Sequence, residues 1–139
     1  MPGLLLDTSA FAKLYIEEDG SAEVRGFVGE ADPLVVSAIV LPEALSALRR
    51  LVREGKLGEG DYSLLKERIC RDVADIEVVP ISEQAIGKAV AVIERHPFRT
   101  LDALHIGAAL AAGVPLLVTA DSRQAEAARG SGLEVRFVG

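Results

Sequence analysis

The stretch Gly3-Leu4-Leu5-Leu6-Asp7-Thr8-Ser9 decides how the whole chain is read. Three leucines run without alternation into an aspartate and two hydroxyl residues. Such a run is the pattern of a strand buried on both faces, and Thr8 or Ser9 is suited to cap a helix continued by Phe11-Ala12-Lys13-Leu14-Tyr15-Ile16. Asp7 then stands at the carboxyl end of a central first strand. In open α/β sheets ligands bind beyond that edge, where the strand order reverses. The same grammar returns at Pro115–Ser122 as PLLVTADS, so Asp7 and Asp121 are expected on one rim.

Outward from this stretch, apolar spacing gives alternating strands and helices. A helix over 8–16, with Phe11, Leu14 and Tyr15 on one side, is closed by Glu17-Glu18-Asp19-Gly20, and Ser21 is placed to cap a short helix carrying Val24, Phe27 and Val28. Asp32-Pro33 precedes a strand at 34–36 ending at Ser37. The helix over 38–54 has Leu41, Leu45, Leu48 and Val52 in its stripe and Gly55 as its stop; Pro42, which lacks a backbone donor, requires an effective start at 39–41. A long helix over Glu59–Asp75 buries Tyr62, Leu65, Ile69 and Val73. A strand over 77–81 follows, and Ser82 caps a helix expected to turn Ile86, Ala89, Val90 and Ile93 inward. Thr100 is read as the cap of a helix stopped by Gly113. The fourth strand, a helix from Ser122 to Arg129 and a strand over 133–137 complete the chain. Apolar strands separated by helices make a parallel sheet covered on both faces, a doubly wound α/β unit.

The 139 residues are expected to form a single domain, 1–139, with a core large enough to need no disulfide or structural metal. Cys70 has no partner, and its helical setting reads as a small buried hydrophobe. There is no Cys/His zinc pattern. The apolar run at Leu4–Leu6 is too short for a secretory or membrane segment, so the expected address is the cytoplasm, with no membrane contact. A formal charge of −6 opposes non-specific binding to nucleic acid.

Four acids stand at strand ends or helix starts. Asp7 and Asp121 end strands, Glu43 opens one helix and Asp102 another. First-turn amides favour the ionised form, and ionised oxygens are what Mg²⁺ or Mn²⁺ require. Each acid also has a plainer reading. Asp7 and Asp121 could cap helices, Asp102 could compensate a helix dipole, and Glu43 could be a surface residue.

As a set they match a known pattern. DTSAFAKLY at 7–15, EALSAL at 43–48, LDALHIGAAL at 101–110 and VTADSR at 118–123 resemble the PIN-domain ribonucleases, most closely the VapC-type toxins of toxin–antitoxin pairs. Pro42 is the departure from the pattern. The resemblance implies a three-layer α/β/α sandwich with a five-stranded parallel sheet in the order 3-2-1-4-5. It implies that Asp7, Glu43, Asp102 and Asp121 are both catalytic residues and ligands of Mg²⁺ or Mn²⁺, supported by the hydroxyls of Ser9 and Thr119. With those four charges assigned to a metal site, the balance falls to −2. The implied reaction is hydrolysis of RNA phosphodiesters by a metal-activated water. The implied partners are an RNA substrate, a small antitoxin protein lying over the early helices at Phe11, Leu14, Tyr15, Val24 and Phe27, and a second copy of the chain.

Two other acidic folds fit less well. A signalling receiver domain needs paired acids after the first strand and a lysine after the last, whereas Thr8 follows Asp7 and no lysine occurs beyond Lys88. A haloacid-dehalogenase-like phosphatase needs aspartate where Ser9 stands. The remaining alternative is a non-catalytic interaction module whose acids are structural. His105 is read as a core residue, Lys13 as solvated or reaching the rim, Arg99 as a phosphate contact or a surface residue, and Arg49, Arg50 and Arg53 as helix-end charges, with the lining of an RNA path as the alternative.

Overall fold

The computed structural model describes residues 2–139. Its elements are β1 (Leu4–Leu6), α1 (Thr8–Ala12), α2 (Ser21–Glu30), β2 (Leu34–Ser37), α3 (Val40–Arg53), α4 (Glu59–Asp75), β3 (Glu77–Val79), α5 (Glu83–Arg95), α6 (Thr100–Ala112), β4 (Leu116–Thr119), α7 (Ser122–Gly130) and β5 (Glu134–Phe137). All strand pairs are parallel, in the order β3-β2-β1-β4-β5. The order reverses at β1 and β4, which register Leu4 to Leu116 and Leu6 to Val118. Asp7 and Asp121 therefore leave neighbouring strands at the same edge, as expected from the sequence.

Strand pleating divides the core into two layers. Leu4, Leu6, Val36, Leu116 and Val118 face α1 to α4 and pack with Phe11, Val24, Leu48 and Ile69. Leu5, Val35 and Leu117 face the opposite layer, with Val92, Ile106 and Ala128. The edge strands are shorter or more exposed than the expected pattern. β3 ends at Val79, and only that residue of it is buried; none of β5 is buried.

Several local expectations change. α1 stops at Ala12, and a turn through Leu14 and Tyr15 follows. The cap of α2 is Gly20, in the left-handed region at φ 93°, while Ser21 lies inside the helix and donates back to the carbonyl of Ile16. Thr100 is the first residue of α6 and caps nothing; Arg99 takes the cap position without a side-chain bond. Ser82 caps α5 as expected, accepting from Ala85 N at 3.2 Å. α3 begins at Val40, so Pro42 falls in the first turn, where no intrahelical partner for its N–H is lost. Cys70 is exposed, because the buried residue on that turn of α4 is Ile69, about 100° away around the helix.

The largest reversal is on α5. Ile86, Val90 and Ile93 point outward, and Ala85, Ala89 and Val92 point inward. The reason is the close approach of α6. A Cβ built on Gly107 would lie 2.5 Å from the carbonyl oxygen of Ala85 and 2.9 Å from Ala89 N, a separation that only small residues permit.

Candidate active site

Asp7 is 4% exposed and is held on both oxygens. Oδ1 accepts from Ser9 Oγ at 2.7 Å and from Ala10 N at 3.0 Å, and Oδ2 accepts from Thr119 Oγ1 at 2.5 Å. Asp7 is thus the N-cap of α1, a role expected of Thr8 or Ser9. Burial raises its pKa; His105, Thr119, Ser9 and the Ala10 amide act against that rise.

Glu43, in the first turn of α3, reaches across to two other elements. Its Oε1 accepts from Thr8 Oγ1 at 2.6 Å and lies 2.6 Å from His105 Nε2. Because a carboxylate only accepts, Nε2 carries the hydrogen. Burial pushes the Glu43 carboxyl upward, but the hydrogen bonds from His105 and Thr8 outweigh it and leave its pKa lowered.

Asp102 lies in the first turn of α6 and its side chain makes no hydrogen bond among the described residues. Burial raises its pKa, the charge of Asp121 raises it next, and Glu43 adds to the rise against His105 and Arg99. Asp121 caps α7, accepting at Oδ1 from Arg123 N at 2.9 Å and Gln124 N at 3.4 Å. Its own N–H donates to Thr119 Oγ1 at 3.0 Å, so one hydroxyl serves the ends of both β1 and β4.

The structure brings Asp102 within electrostatic reach of both Asp121 and Glu43, with His105 acting on Asp7, Glu43 and Asp102. The convergence is looser than expected: among the described residues no three His, Cys, Asp or Glu side chains are close enough to hold one ion. The donor set still fits a hard divalent cation. Every acid in it offers oxygen, and Mg²⁺ commonly keeps several waters and takes only one or two carboxylates directly. The Asp102 carboxyl, without a hydrogen-bond partner among the described residues and raised first by burial and then by Asp121, carries a charge that a cation would relieve.

Sequence reasoning set His105 aside as a core residue. It is buried at 2% exposure, yet its imidazole belongs to the site. The available signal was its spacing of three from Asp102, which places both on one side of a helix. Gln124 was also missed; it is buried, and its Nε2 donates to the Asp102 carbonyl at 3.1 Å, tying α7 to the start of α6. Lys13 neither reaches the rim nor is solvated. It is buried and pairs with Glu18 at 3.1 Å. Arg49 pairs with Glu59 and lies over the Tyr62 ring. Arg50 instead lines a groove of about 440 Å³ that opens at Glu43 and Thr8, floored by Ile39, Pro42 and Leu101.

A doubly wound sheet with this order and acids at its switch point defines a class of α/β proteins that place ligand chemistry at the strand ends. The PIN domain pattern matches residues 4–130, and the chain belongs to the PIN-domain family, in the group that includes the VapC ribonucleases. Ribonuclease VapC46 of Mycobacterium tuberculosis is 31% identical, over 97% of both chains. Among solved structures, FitAcB from Neisseria gonorrhoeae superposes with a TM-score of 0.72 at 17% identity, over 96% of each chain. Mycobacterium tuberculosis VapC20, described as a sarcin-ricin loop cleaving toxin, superposes at 0.69 and 19% identity, over 96% of this chain and 99% of its own. At those identities the two superpositions establish the fold.

Proposed function

We propose that the chain, acting as a single nuclease domain over 1–139, is a divalent-metal-dependent endoribonuclease and the toxin of a type II toxin–antitoxin pair, working in the cytoplasm. The observation that carries the reading is Asp102: a partly buried carboxylate without a hydrogen bond, destabilised by Asp121 and Glu43 at the switch point of the sheet. A non-catalytic module accounts for Asp7 and Asp121 as helix caps. It has no use for crowding Asp102 against two further acids.

In this reading Asp102 and Glu43 would hold Mg²⁺ or Mn²⁺ together with the cation's own waters, Asp121 would reach those waters, and Asp7 would complete the acidic pocket from β1. Such a cation would lower the pKa of a water and neutralise charge developing on the phosphodiester. Ser9 and Thr119 fix the Asp7 carboxylate by their hydroxyls. Gln124 holds the start of α6, and with it Asp102, against α7. Arg50 offers positive charge in the groove leading to Glu43, where an RNA backbone would lie.

The relationship to VapC ribonucleases and the likeness to chains solved as toxin–antitoxin complexes support an RNA substrate and a small antitoxin. Of the early-helix residues expected to meet the antitoxin, Phe11 and Val24 are buried, which leaves Leu14, Tyr15 and Phe27 partly exposed. A more suitable groove, about 350 Å³, runs between α1 and α3 and is lined by Ala12, Tyr15, Ile16, Leu48 and Leu51. The homodimer is assigned to the outer face of α5, where Ile86, Val90 and Ile93 are exposed at helical spacing beside Ile81. No helix among the described residues is long and apolar enough to cross a membrane.

The test is incubation of the purified chain with a structured RNA pool, with Mg²⁺ or Mn²⁺ and with EDTA, followed by mapping of new ends. Cleavage by wild type that EDTA stops and that Asp102→Asn lacks is the expected result. Equal cleavage by both proteins, or cleavage in EDTA, would overturn the reading.

A further inference from the structure

Glu43 extends from a helix whose first turn contains Pro42, and its side chain takes no hydrogen bond from α3 itself. It is held from two other elements. Thr8 Oγ1, at the start of α1, and His105 Nε2, on α6 in the opposite helical layer, both lie 2.6 Å from the same atom, Glu43 Oε1. Thr8 Oγ1 and His105 Nε2 are 3.1 Å apart and close the triangle. Two donors saturate Oε1, while Oε2 takes no hydrogen bond among the described residues.

The geometry points to His105 as a positioning residue that, with Thr8, locks Glu43 so that only Oε2 is presented to the cation. This inference rests on the proposed nuclease reading for the presence of that cation. Three features support it. At 2% exposure the imidazole is sheltered from water on its own side of the bond, while the Glu43 carboxylate is 23% exposed toward the groove. His105 follows Asp102 by three residues, so a single turn of α6 carries one acid and the anchor of another, and the separation of Asp102 from Glu43 is tied to helix geometry. Finally, Nδ1 has no partner, so the ring contributes a single donor at a fixed reach from the helix. Glutamine carries an N–H donor at nearly that reach; leucine fills similar space with none.

Calorimetric titration with Mn²⁺ tests the role on four proteins: wild type, His105→Gln, His105→Leu and Thr8→Val, each checked for folding by its melt in EDTA. Loss of an outer partner of a metal ligand typically costs 10–100-fold in affinity. His105→Leu is expected to weaken Mn²⁺ binding by about that factor, His105→Gln to stay within a few-fold of wild type, and Thr8→Val to lose several-fold. Unchanged Mn²⁺ affinity in folded His105→Leu overturns the inference, as does a folded His105→Gln as weak as the leucine variant. If His105→Leu does not fold, Thr8→Val decides: unchanged affinity refutes the lock, and weaker binding supports it. A wild type that takes up no Mn²⁺ overturns the cation site itself and the positioning role with it.

Discussion

Replacing Asp102 by asparagine should make the metal-free protein more stable while removing most of its stabilisation by Mg²⁺. The side chain makes no hydrogen bond, so the amide forfeits none. What changes is charge. Burial and then Asp121 disfavour the carboxylate; His105 favours it by more than Glu43 opposes it, and Arg99 helps least. Losing a favourable first-turn charge costs about 0.3–1 kcal/mol. Relief of two like-charge contacts at a partly exposed site contributes up to about 1 kcal/mol each, and the burial cost of the charge disappears as well. The net gain in EDTA should therefore be on the order of 1 kcal/mol or less, roughly 2–4 °C in Tm for a chain of this size. In Mg²⁺ the order reverses. At a concentration a hundred times Kd, bound metal stabilises wild type by about 2.7 kcal/mol, and a variant binding a hundredfold more weakly keeps only about 0.4 kcal/mol of it. Melting curves of both proteins in EDTA and across a Mg²⁺ series should cross. A variant that melts below wild type in EDTA and responds to Mg²⁺ identically would make Asp102 a helix-start residue only, and the reasoning would fail.

Two other outcomes follow from the α5 and α6 packing. Gly107→Ala places a methyl group 2.5 Å from the Ala85 carbonyl oxygen, so α5 and α6 must part, at a cost of about 1–3 kcal/mol; a urea midpoint equal to that of wild type would show that the helices have room to spare. Val90→Glu puts a charge in the middle of the exposed apolar face of α5 and should convert the proposed dimer to a monomer by light scattering. An unchanged mass would remove α5 from the interface.

Strand order and the rim were legible because they depend on local pattern. Leu4–Leu6 and Leu116–Thr119 are short apolar runs ending in a polar residue, and parallel topology leaves their carboxyl ends nowhere to go but the same edge. The start of α3 was legible for a similar reason, since proline tolerates only the first turn. The inward face of α5 was not. Its strongest stripe by spacing is Ile86, Val90 and Ile93, but the face that packs is chosen by how closely α6 approaches, and that distance is fixed by a glycine on a different helix. Caps also depended on geometry. Both Asp7 and Thr8 can cap a helix, but α1 already begins at Thr8, so the cap position falls to Asp7 and Thr8 bonds Glu43 instead. The sequence by itself determined which residues carry charge and which strands deliver them. Only the tertiary structure decided which acid is held by which hydroxyl, and that a histidine buried among apolar neighbours meets a glutamate 62 positions away, because hydrogen bonds form between atoms that folding brings within 3 Å, whatever their separation along the chain.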